Sequence, residues 1–372
     1  MENALKRANF VVVDVHFLNF SHDLALGRNV ANYTPPPNVQ QMERDLAPLA
    51  ELLPQTDLSY GEYAPVWGWN VSFVNRLRAV GYSHLPTDAQ LAEIRRLSSR
   101  LTAVEMLPAI RRCLPQGLTV GRSCFVSENL ASACQGWMPG VKRSILKAPY
   151  SGSGRGLRLV ESSMLAAPDT MSPNLKAWIS RCLREQGGVV VEPYYNKVAD
   201  FALEFVVTPS GVEYLGLSVF VTNGNNVYSF NYIAPQPYLW QKIEKLVPAL
   251  DRRQLITAVG DELQARLAGH YLGPVGVDMM VVDDCHALAV HPCVEVNVRR
   301  TMGELSLHLL PLMADGAEGR FRLLFNKSNA ALRREISAMS QPRYDERGGL
   351  VGGTRLLTPV ADDTSYVAML EA

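Results

Sequence analysis

Two short segments of the chain carry residue types that could do chemistry together. The first is Lys147-Ala148-Pro149-Tyr150-Ser151-Gly152-Ser153-Gly154-Arg155-Gly156. Glycines let a loop present successive backbone N–H groups to phosphate oxygens, because no Cβ blocks close approach. A lysine on the preceding strand adds a positive charge at the same place. The second segment is Glu295-Val296-Asn297-Val298-Arg299, downstream of Asp278. Side chains alternate along a strand, so Glu295, Asn297 and Arg299 share one face, while Val294, Val296 and Val298 point into the core. Two carboxylates and an amide are hard oxygen donors suited to Mg2+. Arg299 then lies where negative charge develops on a transferring phosphoryl group.

Each segment also has an ordinary alternative. The glycine run can be a plain flexible hairpin, and Glu295 with Arg299 can be an ion pair on the solvated face of an edge strand. Neighbouring patterns narrow the first choice. A Walker loop, GxxxxGK[ST], is absent, and a Rossmann fingerprint must open a helix, whereas Gly156 leads into the strand-like Leu157–Val160. A protein-kinase glycine loop joins two strands, but its lysine comes later, and no HRD or DFG follows here. What remains is a nucleotide-covering hairpin with its lysine in front of the turn.

The elements that must position these residues are legible from periodicity. Phe10–Val15 reads as a strand buried on both faces. Thr34–Pro37 is a stiff turn leading into a helix over Asn38–Leu53, with Met42, Leu46, Leu49 and Leu53 on one face. Thr87 caps a second helix with Gln90, and Leu91, Ile94 and Leu97 form its stripe. From Arg100 the chain is mostly helical to Pro115, with Pro108 expected to start, kink or end a helix. Strands at Ser144–Lys147 and Leu157–Val160 flank the glycine turn. Ser172 and Pro173 open a helix that Gly187 and Gly188 close. The strand Val189–Glu192 follows. Strands Phe201–Thr208 and Val212–Val221 turn at Pro209-Ser210-Gly211, and Asp251 caps a long helix carrying Leu255, Val259, Leu263 and Leu267. Strands Val275–Val282 and Ala287–Val298 turn at Asp283-Asp284. The tail after Ser340 gives little signal.

Composition bounds the rest. A chain of 372 residues, 47% hydrophobic and 19% charged, has the balance of a globular protein with two or three lobes. Lysine plus arginine equals aspartate plus glutamate at 36 each. No global field therefore draws in nucleic acid or an acidic membrane, and an anionic ligand must be held by a local constellation. Cys113, Cys124, Cys134, Cys182, Cys285 and Cys293 show no CxxC pair and read as reduced core thiols. His291 and Cys293 flank a proline, and a packing role competes there with a zinc site. The segment after Met1–Arg7 is interrupted by Asp14 and His16, unlike a signal peptide, and no stretch is long enough to span a bilayer. The expected location is cytoplasmic.

Taken in order, the lysine and glycine hairpin, the helix 173–186, the strand Val189–Tyr194, the sheet, Asp278 and Glu295-x-Asn297-x-Arg299 resemble the ATP-grasp superfamily over roughly residues 96–310. The resemblance implies a mixed α/β and α+β ATP-grasp fold in three parts. These are an N-terminal α/β domain (1–95), a small lobe with the glycine hairpin (96–194), and a large lobe with the Mg/ATP site and C-terminal segment (195–372). It implies that Lys147 contacts the α- and β-phosphates, and that Ser151, Gly152, Ser153, Gly154 and Gly156 close over the triphosphate. Glu192, Pro193 and Tyr194 would form the hinge at the adenine edge. Asp200 would hold the ribose hydroxyls, although a plain turn residue is an equal reading. Asp278, Glu295 and Asn297 would hold one or two Mg2+, with Mn2+ as an alternative ion, and Arg299 would stabilise phosphoryl transfer. One departure stands out: where members carry an earlier phosphate lysine at a helix start, this chain has Arg100, which keeps the charge.

The implied activity is ATP-dependent joining of a carboxylate to an amine through an acyl phosphate. Small-molecule carboxylate and amine substrates are expected, amino acids among them. The loop Thr222–Pro237, with Asn223, Asn225, Asn226, Tyr228 and Tyr232, is a candidate for recognising them, as are Arg300 and Gly303. A homodimer is a candidate assembly. Two other classes share the scaffold: a nucleotide-binding regulatory protein without turnover, and a small-molecule kinase.

Overall fold

The computed structural model describes residues 16–53, 66–128, 130, 140–152, 156–224, 227–284 and 287–372. The strand expected at Phe10–Val15, together with Ser153, Gly154, Arg155, Asn225, Asn226, Cys134 and Cys285, lies outside the described residues.

The described N-terminal region is helical. Its helices are His22–Arg28, Pro37–Leu46, Val71–Ala79 and Asp88–Leu97, the last closed by the expected capping box of Thr87 and Gln90. The single helix expected over Asn38–Leu53 divides, because Pro48 lacks an N–H and the chain continues as a 3-10 turn over Ala47–Leu52. Met42, Leu46, Leu49 and Leu53 nevertheless pack in one cluster. Pro108 is tolerated instead of ending its helix, which runs unbroken over Arg100–Arg112.

A four-stranded antiparallel sheet follows, built from β1 (Cys124–Val126), β2 (Arg143–Lys147), β3 (Leu157–Glu161) and β4 (Val189–Pro193) in the order β1-β4-β2-β3. The helix Pro173–Gln186 covers it, capped by Ser172 and ended by Gly187 in the left-handed region (φ 81°). Trp178, Ile179 and Cys182 supply its buried side.

The second sheet has eight strands: β5 (Asn196–Thr208), β6 (Gly211–Thr222), β7 (Tyr228–Ile233), β8 (Gly273–Asp283), β9 (Leu288–Asn297), β10 (Gly319–Phe325), β13 (Thr354–Leu356) and β14 (Tyr366–Glu371). Their order is β13-β14-β10-β7-β6-β5-β8-β9. A separate hairpin pairs β11 (Arg343–Tyr344) with β12 (Leu350–Gly352). The weakly patterned tail thus becomes internal sheet: Val367, Ala368, Met369 and Leu370 are all buried.

Alternation on β5 sets the two faces of this sheet. Phe201, Leu203, Phe205 and Val207 enter the main core with Leu255, Val259, Leu263 and Leu267 of the helix Arg252–Leu267, which Asp251 caps as expected. Each such side chain contributes about 1.5–3 kcal/mol by leaving water. The intervening Asp200, Ala202 and Glu204 face a cleft. Among the described residues no helix is long and apolar enough to cross a membrane.

Candidate active site

The cleft, about 640 Å³, lies between the two sheets and is bounded by the N-terminal helices. On its floor β8 and β9 place Asp278 directly opposite Glu295, with Asn297 two residues further along the same face. Asn297 Nδ2 donates to Asp278 Oδ2 at 3.1 Å. Burial and the neighbouring Glu295 charge push the Asp278 carboxyl up to about 7. Burial likewise raises Glu295, against the pull of Arg100. The expected alternation holds for Val296 and Val298, which are buried in the core. It fails for Val294, which lines the cleft. A bulge sets one β8 residue, Met279, against three on β9, because Asp278 pairs with Glu295 but Met280 with His291.

Cations reach this floor from the other elements. Ser99 caps the helix that begins at Arg100, which aims the Arg100 guanidinium into the cleft. Its NH2 donates to the Ser151 carbonyl at 3.0 Å and to the Glu295 carboxylate at 2.9 Å. That contact ties the glycine hairpin to the carboxylate strand. Arg100 Nε and NH1 are buried without a partner among the described residues. Lys147, at the end of β2, is paired at 2.6 Å with Glu192, and Ser123 Oγ donates to the same carboxylate at 2.6 Å. Burial opposes ionisation of Glu192, but Lys147 and Ser123 hold it below the usual carboxylate range. The Glu192 carboxylate therefore faces Lys147 and Ser123 on the wall of the cleft.

The remaining hinge and ribose candidates also line the cleft. Pro193 ends β4, and the Tyr194 N–H is committed to the Arg143 carbonyl at 2.9 Å. Asp200 accepts from Lys197 Nζ at 2.6 Å and from Thr222 Oγ1 at 2.9 Å, so it is more than a bare turn residue. In the hairpin, a Cβ on Gly152 would lie 2.5 Å from Asp23 Oδ2, and one on Gly156 would overlap the Ser151 hydroxyl. Both positions need glycine for close approach. His291 is buried against the Tyr195 ring, and its pKa is lowered to about 4 chiefly by burial; Cys293 is buried in the main core.

Several residues escaped sequence reasoning. Asp23, on the short helix His22–Arg28, clamps Arg299 through two bonds of 2.9 Å, from Nε and from NH2. The third nitrogen, NH1, donates to the Arg300 carbonyl at 2.8 Å. Burial raises the Asp23 carboxyl, but Arg299 outweighs it and holds the group below the ordinary range. Arg300 is committed to Glu304 in a buried ion pair. Glu204, 1% exposed, accepts from Thr301 Oγ1 at 2.8 Å and Ser218 Oγ at 2.9 Å. A Cβ on Gly303 would overlap the Glu204 carboxylate, so this glycine packs on Glu204 at the floor of the cleft. Apart from the Arg300–Glu304 pair, whose i,i+4 spacing is local, the side-chain pairings join residues of different elements and have no local motif.

The donor set fits a hard divalent ion. Among the described residues no group of three or more His, Cys, Asp or Glu side chains converges to hold a metal. Two opposed carboxyls, each with its ionisation disfavoured, and one amide oxygen are instead a partial shell. Mg2+ typically completes such a shell with water and phosphate oxygens.

Two antiparallel sheets closing on a cleft, with the glycine hairpin on the smaller and the carboxylate pair on the larger, make up the ATP-grasp fold. The likeness that shows it is to the pyruvate carboxylase of Rhizobium etli with the allosteric activator acetyl coenzyme-A. Its TM-score is 0.51 at 15% identity, over 80% of this chain and 27% of that one. The N5-carboxyaminoimidazole synthetase of Staphylococcus aureus complexed with ADP is similar at TM-score 0.43 and 16% identity, over 74% of this chain and 68% of that one. The biotin carboxylase domain of the Hydrogenobacter thermophilus 2-oxoglutarate carboxylase, in complex with MgADP, ADP and bicarbonate, gives TM-score 0.47 and 12% identity, over 81% and 67%. At 15% identity the likeness to the pyruvate carboxylase speaks to fold alone. By sequence, no family model and no curated protein matches the chain.

Proposed function

We propose that this protein is an ATP- and Mg2+-dependent carboxylate–amine ligase that works through an acyl phosphate. A fold hosts many chemistries, so the reading rests on the site. The observation that carries it is the convergence of Asp278, Glu295 and Asn297 on the cleft floor, with Arg100 joining Glu295 to the glycine hairpin.

In this reading Lys147, Arg100 and the backbone of Ser151, Gly152 and Gly156 hold the triphosphate. Pro193 and Tyr194 flank the base, and Asp200 takes the ribose hydroxyls. Mg2+ bound by Asp278, Glu295 and Asn297 supplies positive charge to the phosphate oxygens. A substrate carboxylate oxygen attacks the γ-phosphorus, the bond to the β,γ-bridging oxygen breaks, and ADP leaves with that electron pair. The amine then attacks the acyl carbon, inorganic phosphate departs, and one proton is released as the amide forms. Arg299 keeps donors for the transferring group: of five guanidinium N–H bonds three are committed among the described residues.

ADP release across a panel of carboxylates, amines and alcohols tests the reading. ADP formed only when a carboxylate and an amine are both present supports a ligase. ADP with a lone alcohol would make the protein a kinase, and tight ATP binding without turnover would make it a regulator. Glu295→Gln should nearly abolish Mg2+-dependent turnover while leaving the melting temperature within a few degrees. An unchanged rate in that variant removes the metal assignment.

A further inference from the structure

Across the cleft from the hinge, β7 carries Asn231 into the cleft wall at 1% exposure. Its ladder neighbours are Phe220 on β6 and Phe321 on β10, so the amide sits between two phenylalanines. Neither Nδ2 nor Oδ1 has a hydrogen-bond partner among the described residues. Buried polar groups are ordinarily satisfied, and an unmatched amide between apolar rings weakens the fold unless something else uses it. Phe20, Met42 and Met302 continue an apolar wall along the cleft and pack on the cluster that contains Trp67 and Phe321.

We infer that this end of the cleft is the subsite for an internal amide of a peptide-like, apolar carboxylate substrate, an assignment that rests on the ligase reading. The chemistry selects the class. An amide side chain offers one donor edge and one acceptor edge. A carboxylate would leave Nδ2 matched but Oδ1 bare, and an ammonium the reverse; a hydroxyl can do both only through a single atom, whereas another amide meets the two edges with two separate groups. A second carboxylate would also have to share each cation with a carboxylate already in place, since Arg299 faces Asp23, Arg100 faces Glu295, Lys147 faces Glu192 and Lys197 faces Asp200.

Distance argues for more than one residue. From Asp278 on β8 to Asn231 on β7 is three strand steps, on the order of 14 Å. A carboxylate–metal–phosphate contact occupies about 4 Å of it. The hydrogen bond to the Asn231 amide takes about 3 Å more, and the remaining ~7 Å exceeds a single amino acid and suits a molecule of dipeptide length, at about 3.4 Å per extended residue.

The test is calorimetric titration of leucyl-leucine, leucine and leucyl-leucine methylated at the peptide nitrogen into the whole chain, each with and without MgATP. Wild type should bind leucyl-leucine at least about tenfold more tightly than either comparator. Asn231→Leu should lose that preference and melt at a higher temperature than wild type, because it removes two unmatched buried groups. Equal binding of the three ligands, no binding of leucyl-leucine, or a lower melting temperature with the preference intact would overturn the assignment. The methylated ligand makes the comparison on wild type, so a variant that fails to fold does not rescue it. MgATP titration keeps the two readings apart. Absent ATP binding sinks the ligase reading, whereas ATP binding without a dipeptide preference sinks only the subsite.

Discussion

If the proposed ligase reading holds, replacing Asp23 with asparagine should slow turnover without changing how ATP is held. Asp23 grips Arg299 through Nε and NH2, both at 2.9 Å, in a partly shielded position. Asparagine keeps the shape but offers one acceptor oxygen, so one of the two bonds is lost and the other loses its charge. A hydrogen bond to a charged group is worth about 1.5–3 kcal/mol. If that energy holds Arg299 for the transition state, its loss corresponds to a roughly 10- to 150-fold fall in kcat, at about 1.4 kcal/mol per tenfold. The KM for ATP should move little, since a group that acts only in the transition state leaves ground-state binding alone. Steady-state ADP release gives both constants. A cycle with Arg299→Ala completes the experiment: Asp23→Asn should cost almost nothing further once the guanidinium is gone. An undiminished kcat, or a loss confined to KM, would show that the clamp holds the fold together and has no part in the chemistry.

Three further outcomes follow from the same geometry. Gly152→Ala should lower kcat in the same direction as Asp23→Asn in the ADP-release assay, because the new Cβ would sit 2.5 Å from Asp23 Oδ2 and push it off Arg299. Glu204 should make the fold less stable as pH rises: burial pushes its carboxyl from 4.5 up to about 8, so the folded state keeps a proton the unfolded chain releases. Between pH 6.5 and 8, above the range where buried His22 and His291 (both lowered to about 4) matter, urea melts should show a falling stability that Glu204→Gln reduces, the remainder near pH 7 belonging to Asp278, whose carboxyl is raised to about 7; parallel slopes would reject the assignment. ATP affinity measured by calorimetry should strengthen steeply with Mg2+, since the ion competes with Arg100 for Glu295 and releases that guanidinium to phosphate; Arg100→Ala should blunt this dependence.

Much of the frame was legible from local pattern. Helix caps at Thr87, Ser172 and Asp251, and the strands around the glycine turn, depend on neighbours within a few residues, and the structure realises them. The shared face of Glu295 and Asn297 follows from strand alternation, but Asp278 standing opposite Glu295 depends on register. The pattern misread Val294 because a bulge is a property of two strands together. Pro48 and Pro108 mark the limit of a residue-level rule: one divides its helix, while the other is carried by a helix whose buried side, with Met106, Leu107 and Ile110, is anchored on both sides of it. The last strand was opaque because its burial comes from β10 and from the helix Pro37–Leu46, which are distant in sequence.

What stayed hidden in the site is the pairing of its charges, and that pairing decides how the site works in the proposed reading. The sequence nominated Arg100, Lys147 and Arg299 as cations for phosphate, as though each were unengaged. The structure gives each one a carboxylate: Glu295, Glu192 and Asp23. A triphosphate must compete with those partners, and a buried pair left with one member uncompensated is strongly penalised. Charges therefore have to be exchanged. In the proposed reading a divalent ion held by Asp278 and Glu295 would take over the role of Arg100, and Arg100, whose Nε and NH1 have no partner among the described residues, would turn those edges to phosphate. The Asp23 clamp belongs to a different class, because it uses only two of the five Arg299 donors and need not open. One set of pairs thus admits the nucleotide by giving way, and the other does its work by holding still.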